Sequence, residues 1–392
     1  MRAVVAGGGI VGVTTALALR ARGHRVALVD PGPLPHPLAE STDISKVVRL
    51  DYGADEEYTA LAERALDGWR RWNRAWPAPL LHETGVTFLA REPMRPGGFE
   101  HESFALLSRR GHRCERLDAA AIARRFPAYR PGALVDGYYN PQGGWVEAGA
   151  AVRQLLAEAA GVGVEVRGGC AARQVIERGG RAVGLLLEDG ERLDADLVVL
   201  AVGAWAALLC PALTHALRPS GQPVFHLRPA DPEPYRDERF PVFGADIART
   251  GFYGFPVTRD GLVKVANHGP GLAVDMAKDE RPVLAGEETA MRAFLADTFP
   301  GLAGAEIASR RLCVYCDTRD GHFWIAADPE RPGLVVATGG SGHAFKFAPV
   351  IGDLVAAIAL DEGTVPPALV HRFRWRPDIS PDRAEEAARF SG

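Results

Sequence analysis

Ala3-Val4-Val5-Ala6-Gly7-Gly8-Gly9-Ile10-Val11-Gly12, followed by Arg25-Val26-Ala27-Leu28-Val29-Asp30, is the stretch that decides how this chain folds. Residues 3–6 form a short apolar run of strand type, and residues 11–22 repeat their apolar positions at helical spacing until Gly23 stops them. A second buried strand follows and ends in Asp30. Gly7-x-Gly9-x-x-Gly12 therefore sits between a strand and a helix start, the setting in which this spacing holds the pyrophosphate of a dinucleotide. Gly7 permits the tight turn, Gly9 lets a phosphate reach the backbone, and Gly12 lets helix and strand pack closely. The helix start at Ile10 and Val11 adds unpaired N–H groups and the positive end of a dipole. Asp30 lies 18 positions past Gly12, close to the ~20 expected of an acid that binds a ribose hydroxyl.

The rest of the chain sets limits on what surrounds this unit. Its 392 residues carry 45 Lys+Arg against 49 Asp+Glu, a formal net charge of −4. That balance, with no basic block, argues against nucleic acid as a partner. Hydrophobic residues make up 47% and charged residues 24%, the composition of a folded globular protein of two or three domains. The longest apolar stretch, 197–209, contains Gly203 and falls short of the ~18 residues of a membrane span. The first strand begins with one Arg before it and no small-residue cleavage site, so a cytoplasmic location is expected. The cysteines Cys114, Cys170, Cys210, Cys313 and Cys316 are too few and scattered for a disulfide framework, and no cluster suggests a metal.

Along the chain, helical patterns recur at 56–76, 149–160 and 348–360. Strand patterns recur at 163–166, 182–187, 196–203 and 333–340. Between them, 81–144 and 213–308 read as sheet-rich excursions. The expected organisation is one discontinuous cofactor domain, 1–80, 145–212 and 309–377, interrupted by a substrate domain of 81–144 and 213–308. A charged surface tail, 378–392, follows, and the ligand lies between the domains. The glycine fingerprint alone does not separate FAD from NAD. Two later elements favour FAD: Leu200-Ala201-Val202-Gly203-Ala204-Trp205, a second strand-to-glycine turn, and Gly339-Gly340-Ser341-Gly342-His343, a third glycine-rich segment.

Cys313-Val314-Tyr315-Cys316-Asp317-Thr318-Arg319-Asp320-Gly321-His322-Phe323-Trp324-Ile325 leads into Val335-Val336-Ala337-Thr338-Gly339-Gly340-Ser341-Gly342-His343-Ala344-Phe345-Lys346-Phe347. This block resembles the D-amino-acid-oxidase-like flavoproteins of the monomeric sarcosine oxidase branch, which includes N-methyltryptophan oxidase, pipecolate oxidase and the fructosyl amino acid oxidases. The likeness extends to Asp43-Ile44-Ser45-Lys46-Val47-Val48-Arg49, Gly203-Ala204-Trp205 and Lys264-Val265-Ala266-Asn267-His268. It implies an α/β and α+β fold, with a Rossmann-like FAD-binding domain interrupted by a sheet-rich substrate domain.

It also implies FAD bonded through its 8α-methyl to Cys313, with Arg310 and Arg311 as candidate sources of the positive potential a thiolate needs. Cys316 completes a Cys-x-x-Cys but is expected to be a bystander. Lys264 matches a lysine beside flavin N5 that promotes reaction with oxygen, and Lys46 and Arg49 match the basic positions of the flavin-face segment. Lys346, helped by Arg49, matches the group that binds a substrate carboxylate, and Tyr253 and His268 match positions near the substrate. Ser41, Thr42, Gly203, Trp205, Gly340, Gly342, His343 and Phe345 complete the expected cofactor contacts with Gly7, Gly9, Ile10, Val11, Gly12 and Asp30.

Lys46 and the segment Arg374-Trp375-Arg376-Pro377 look like the fructosyl enzymes, whereas His268 looks like sarcosine oxidase and stands where the fructosyl enzymes carry an acid. The resemblance thus implies oxidation of a secondary amine, an N-substituted or cyclic amino acid, to an imine, with O2 reduced to H2O2. It implies a monomer or weak homo-oligomer without a membrane partner. A biosynthetic imino-acid oxidase or desaturase, a flavin dehydrogenase with another electron acceptor, a nicotinamide enzyme and a flavin-binding protein without turnover are the rival readings. The retained Lys46, Arg49, Lys264 and Lys346 count against the last.

Overall fold

The strand Arg2–Ala6 is buried on both faces from Ala3 onward, which a strand sustains only at the centre of a sheet covered by helices on both sides. A computed structural model of the chain describes residues 1–278 and 280–379, and every count or absence below refers to those residues. From 380 onward the expected tail lies outside them. Arg2–Ala6 stands in a six-stranded sheet in the order Trp324–Ala327, Leu334–Thr338, Leu197–Leu200, Arg2–Ala6, Arg25–Asp30 and Glu165–Gly168. Its pairings are parallel except at the Trp324–Ala327 edge.

Glycines let the covering helices approach. A Cβ on Gly12, in the helix Ile10–Ala21, would lie 1.8 Å from the Gly7 carbonyl oxygen. A Cβ on Gly352, in the helix Ala348–Ala359, would lie 2.3 Å from the Thr14 carbonyl oxygen. The helix Glu56–Ala75 is capped by Asp55, whose carboxylate accepts from the Tyr58 N–H at 2.9 Å. It docks where Gly68 leaves room for Pro349. These helices and Ala148–Gly161 fall within a residue or two of the expected segments, because their apolar periodicity and stop signals are local.

A second, nine-stranded sheet collects the excursions: Leu272–Ala273, Leu217–Arg228, Val263–Asn267, Phe252–Phe255, Val242–Ala245, Val86–Ala90, Asp136–Asn140 and Glu115–Asp118, with Glu306–Thr318 along the free side of Leu217–Arg228. Aromatic packing of Tyr129, Phe240, Phe243 and Phe299 fills one of its faces. Glu306–Thr318 runs straight through the expected boundary at 309 and stays paired with Leu217–Arg228 from end to end. Its alternate residues divide between the two cores: Val314 and Cys316 pack with the six-stranded sheet, and Cys313 and Tyr315 with Val224 and Ala266 of the second. A small three-stranded sheet, Ser45–Val48 with Gly144–Glu147 and Leu81–His82, carries the Lys46 segment. Among the described residues no helix is long and apolar enough to cross a membrane.

The close approach at Gly352 makes a stability prediction. Gly352→Ala inserts a methyl against backbone that has no side chain to swing away, so urea unfolding should show a loss of about 1–3 kcal/mol. An unchanged midpoint would mean that the two helices separate freely.

Candidate active site

A cavity of about 450 Å³ opens along the carboxyl ends of the parallel strands, within the ~300–1,000 Å³ range usual for a cofactor-sized ligand. Gly7, Gly9, Ile10, Val11, Asp30 and Ser41 line it from the first unit, and Gly203, Trp205, Gly340 and Phe345 from the two later glycine turns. Gly12 is packed beneath this floor against Gly7. The Ile10 N–H donates to Ser41 Oγ at 3.2 Å, which caps the helix start from a segment distant in sequence. Asp30 accepts from the Gly8 and Gly32 N–H groups at 2.7 and 3.1 Å. Thr42 lies outside the lining; its carbonyl accepts from Arg311. A glycine floor at a helix start, with an acid at the end of the next strand, fits the pyrophosphate and ribose of FAD.

Phe345 also lines a second, smaller cavity of about 60 Å³. Lys46, Arg49, Tyr253, His268, Gly342, His343 and Lys346 lie on its wall, among Val86, Phe88, Val242, Phe243 and Phe255. Three cations and no carboxylate line this space. The Arg49 guanidinium lies 4.8 Å from the Tyr52 ring centre and 5.6 and 5.7 Å from those of Phe88 and Phe99. Its Nη1 is buried without a hydrogen-bond partner. An unmet buried donor costs ~1–3 kcal/mol, which an anionic ligand would remove.

Lys346 Nζ donates to Tyr52 Oη at 3.0 Å and to the His343 carbonyl at 2.8 Å. His343 Nε2 donates to the Gly321 carbonyl at 2.9 Å, which leaves Nδ1 to accept from Tyr52 Oη–H at 3.2 Å. Burial and then the Arg49 charge hold Lys346 well below the ordinary lysine range. Burial and then Lys346 do the same to His343, keeping it neutral.

Two expected residues stand behind these walls. Lys264, on the strand Val263–Asn267, donates to Asp43 Oδ2 at 2.6 Å and to the Ser45 carbonyl at 2.7 Å. Both side chains of the pair are 1% exposed. Burial draws Lys264 down to about 8 against the opposing pull of Asp43. Burial would raise Asp43, but Lys264 overrides it and holds the carboxyl well below its usual range. Cys313 Sγ, buried on the strand Glu306–Thr318, lies 3.6 Å from Lys46 Nζ. Burial alone would lower Lys46; the charges of Cys313, Glu40 and Asp43 raise it instead.

Lys46 therefore supplies the charge beside Cys313 that was expected of Arg310 and Arg311. Strand alternation puts Arg310 on the opposite face, where it meets Glu288 at 2.8 Å, and Arg311 is taken up by the Thr42 and Ala39 carbonyls. The same alternation separates Cys313 from Cys316, which faces the larger cavity with its thiol pushed up to about 12 by burial. The sequence assigns no role to Asp43, His226 or Tyr52, whose partners are set by folding alone.

A family model described as DAO, FAD dependent oxidoreductase, matches residues 2–358. The chain is 27% identical to monomeric sarcosine oxidase of a Bacillus species over 363 residues, covering 91% of each chain. It is 27% identical to L-saccharopine oxidase of Schizosaccharomyces pombe over 427 residues, covering 98% of this chain and 94% of the relative. Among solved structures, fructosamine oxidase of Aspergillus fumigatus (Amadoriase II), in complex with FSA, superposes with a TM-score of 0.84 at 25% identity, covering 100% of this chain and 93% of the other.

The buried pair makes a prediction of its own. Asp43→Asn or Lys264→Met strands one charge in a dry interior, which costs about 3–5 kcal/mol. The double variant leaves none and should lose clearly less than the sum of the two. Denaturant unfolding of all four proteins measures this coupling, and additive losses would show that the two groups do not interact.

Proposed function

This chain belongs to the FAD dependent oxidoreductase (DAO) family, and from that premise we propose that it oxidises the C–N bond of a secondary amine carrying a carboxylate, passing the electrons to dioxygen and releasing hydrogen peroxide. The observation that carries the reading is the small cavity: it holds three cations and no acid, and it shares Phe345 with the cofactor cavity. An anionic substrate is thereby held against the end of the site where the redox chemistry takes place. The names of the relatives, sarcosine and saccharopine oxidases, point to the same class.

Bound FAD supplies the two-electron acceptor for the hydride equivalent that leaves the carbon beside nitrogen. The protein's share is orientation and electrostatics. Lys346 and Arg49 hold the carboxylate, and Tyr52 and His343 fix the Lys346 ammonium so that a donor remains for substrate. Phe88, Phe243 and Phe255 keep water from the reacting carbon, with Tyr253 and His268 beside them. Lys264 places a positive charge behind Phe255, 4.7 Å from its ring centre, where charge develops on oxygen. The parallel sheet holds the cofactor and the nine-stranded sheet most of the substrate wall, with Cys313 as the point of covalent attachment. Lys46 Nζ lies 3.6 Å from its sulfur.

A peroxide-coupled screen over N-methyl, N-fructosyl and cyclic imino acids tests the activity, with peroxide expected from at least one class. A charged contact of about 1.5–3 kcal/mol implies that Lys346→Ala raises KM about tenfold or more. Equal kinetics for a substrate and its amide analogue would remove the carboxylate from the reading.

Covalent attachment is tested apart from turnover. Acid precipitation should leave the yellow colour in the pellet of the wild type and in the supernatant of Cys313→Ala. A colourless wild-type pellet beneath a yellow supernatant would refute attachment while leaving FAD binding intact.

A further inference from the structure

The chain contains four lysines, Lys46, Lys264, Lys278 and Lys346, among 45 Lys and Arg residues. Lys264 and Lys346 are buried, Lys46 is half-buried, and Lys278 is exposed. Arginine is this chain's ordinary cation, and it holds its proton throughout the physiological range. Three of the four lysines lie on or behind the cavity walls, and a lysine can give its proton up.

Lys264 has a route by which a proton could return. His226 is the register partner of Lys264 on one side and of Ser309 on the other, so the three form one row across adjacent antiparallel strands. Residues directly opposite in such a ladder share a face. The row continues to Phe255, opposite Lys264, on the wall of the small cavity. His226 is buried, and its Nδ1 lies 2.9 Å from Ser309 Oγ, on an exposed residue of the sheet's outer strand. Its Nε2 lies 3.4 Å from Asp43 Oδ1, off hydrogen-bond alignment, so a small turn of the ring completes the contact. Asp43 Oδ2 already holds Lys264 Nζ at 2.6 Å. The charged groups around the imidazole are Asp43, Lys264 and, on the same face of the outer strand, Arg311; Lys46 lies beyond Asp43.

We propose that Ser309, His226 and Asp43 form a proton path from solvent to the buried Lys264 ammonium, with His226 as its positioning residue. The path rests on the oxygen role given to Lys264 above. Reduction of dioxygen to hydrogen peroxide takes two electrons and two protons. The reduced cofactor brings both electrons and one proton, and the second proton comes from water. Lys264 releases a proton from Nζ to the oxygen anion, breaking one N–H bond and forming one O–H bond. The cation that kept Asp43 ionised is then gone, so the carboxylate takes up the Nε2 proton of His226 and passes it to Nζ. The ring regains a proton at Nδ1 through Ser309 Oγ, and no electron moves along the row.

Four lysines make the test direct. In flavin-loaded protein grown on lysine labelled with 15N at Nζ, exchange of the Lys264 Nζ protons with water is measured by NMR between pH 6 and 9, with Lys346 as internal control. His226→Gln should slow exchange at Lys264 by about a hundredfold, the low end of what a positioned acid–base group contributes, and leave Lys346 unchanged. Ser309→Val, at an exposed position that folding tolerates, should slow it in the same direction. Unchanged exchange at Lys264 in both variants overturns the path.

Stopped-flow reoxidation by air, read beside the exchange, separates the path from the role it rests on. Lys264→Met, made together with Asp43→Asn so that no charge is stranded, reports on the oxygen role, with anaerobic flavin reduction by substrate as the check that the segment stays in place. If its reoxidation is normal while His226→Gln still slows exchange, the oxygen role falls and the path stands. If its reoxidation is slow while exchange in His226→Gln is normal, the path falls and the role stands.

Discussion

A buried ion pair ties the segment after the fingerprint unit to the nine-stranded sheet. Asp43 comes from the polar segment that follows the fingerprint unit, and Lys264 from the centre of the nine-stranded sheet. With the Ser45 carbonyl as a third partner, the pair fixes where Ser45–Val48 crosses that sheet. Lys46 and Arg49 depend on that crossing, since they leave the same short strand or its end toward the small cavity. Ser41 and Thr42, just before it, close the helix start and the Arg311 contact. A buried pair of this kind contributes little net stability over an apolar substitute, but breaking it is expensive. It acts here as a register device, allowing one placement of the segment over the sheet.

The electrostatics of the site follow from that placement. Lys46, Arg49 and Lys346 converge on a space of about 60 Å³ with no acid on its wall, so an anion entering it meets basic groups on the wall while Glu40, Asp43 and Asp51 stand behind them. Burial lowers both lysines, but their neighbours send them to opposite sides of the ordinary value. Lys346 is pushed toward neutrality by its burial and by Arg49, whereas Lys46 is pulled the other way by Cys313, Glu40 and Asp43. A carboxylate bound beside Lys346 would restore its charge, and so substrate and ammonium favour each other.

The parts of this protein legible in its sequence are those in which cause and effect lie close together. The glycine spacing, the acid at Asp30 and the stop at Gly23 each act within a turn or two, and the parallel sheet follows from them. Cys313, Lys264 and Lys346 came from the resemblance of whole segments, since nothing local distinguishes them from core residues. The pairing of Asp43 is invisible in the sequence because its partner lies 221 positions away. Arg310 was misread for a simpler reason: residues three apart on a strand face opposite ways, so proximity in sequence to Cys313 carried it away from the thiol. The scarcity of lysine was the signal that went unused. It needed no alignment, and it marks three of the residues on or behind the cavity walls.

That distribution of lysines has a consequence for handling the protein. Amine-directed reagents, whether biotin esters, crosslinkers or activated surfaces, find Lys278 exposed, while Lys264 and Lys346 are out of reach. Lys278 lies in the loop after Leu272–Ala273, next to Met276 and Ala277 on the rim of the larger cavity. Tethering through amines would therefore hold the molecule by a very small number of points, and a label at Lys278 would sit beside the cofactor cavity, where its fluorescence reports on what that cavity contains.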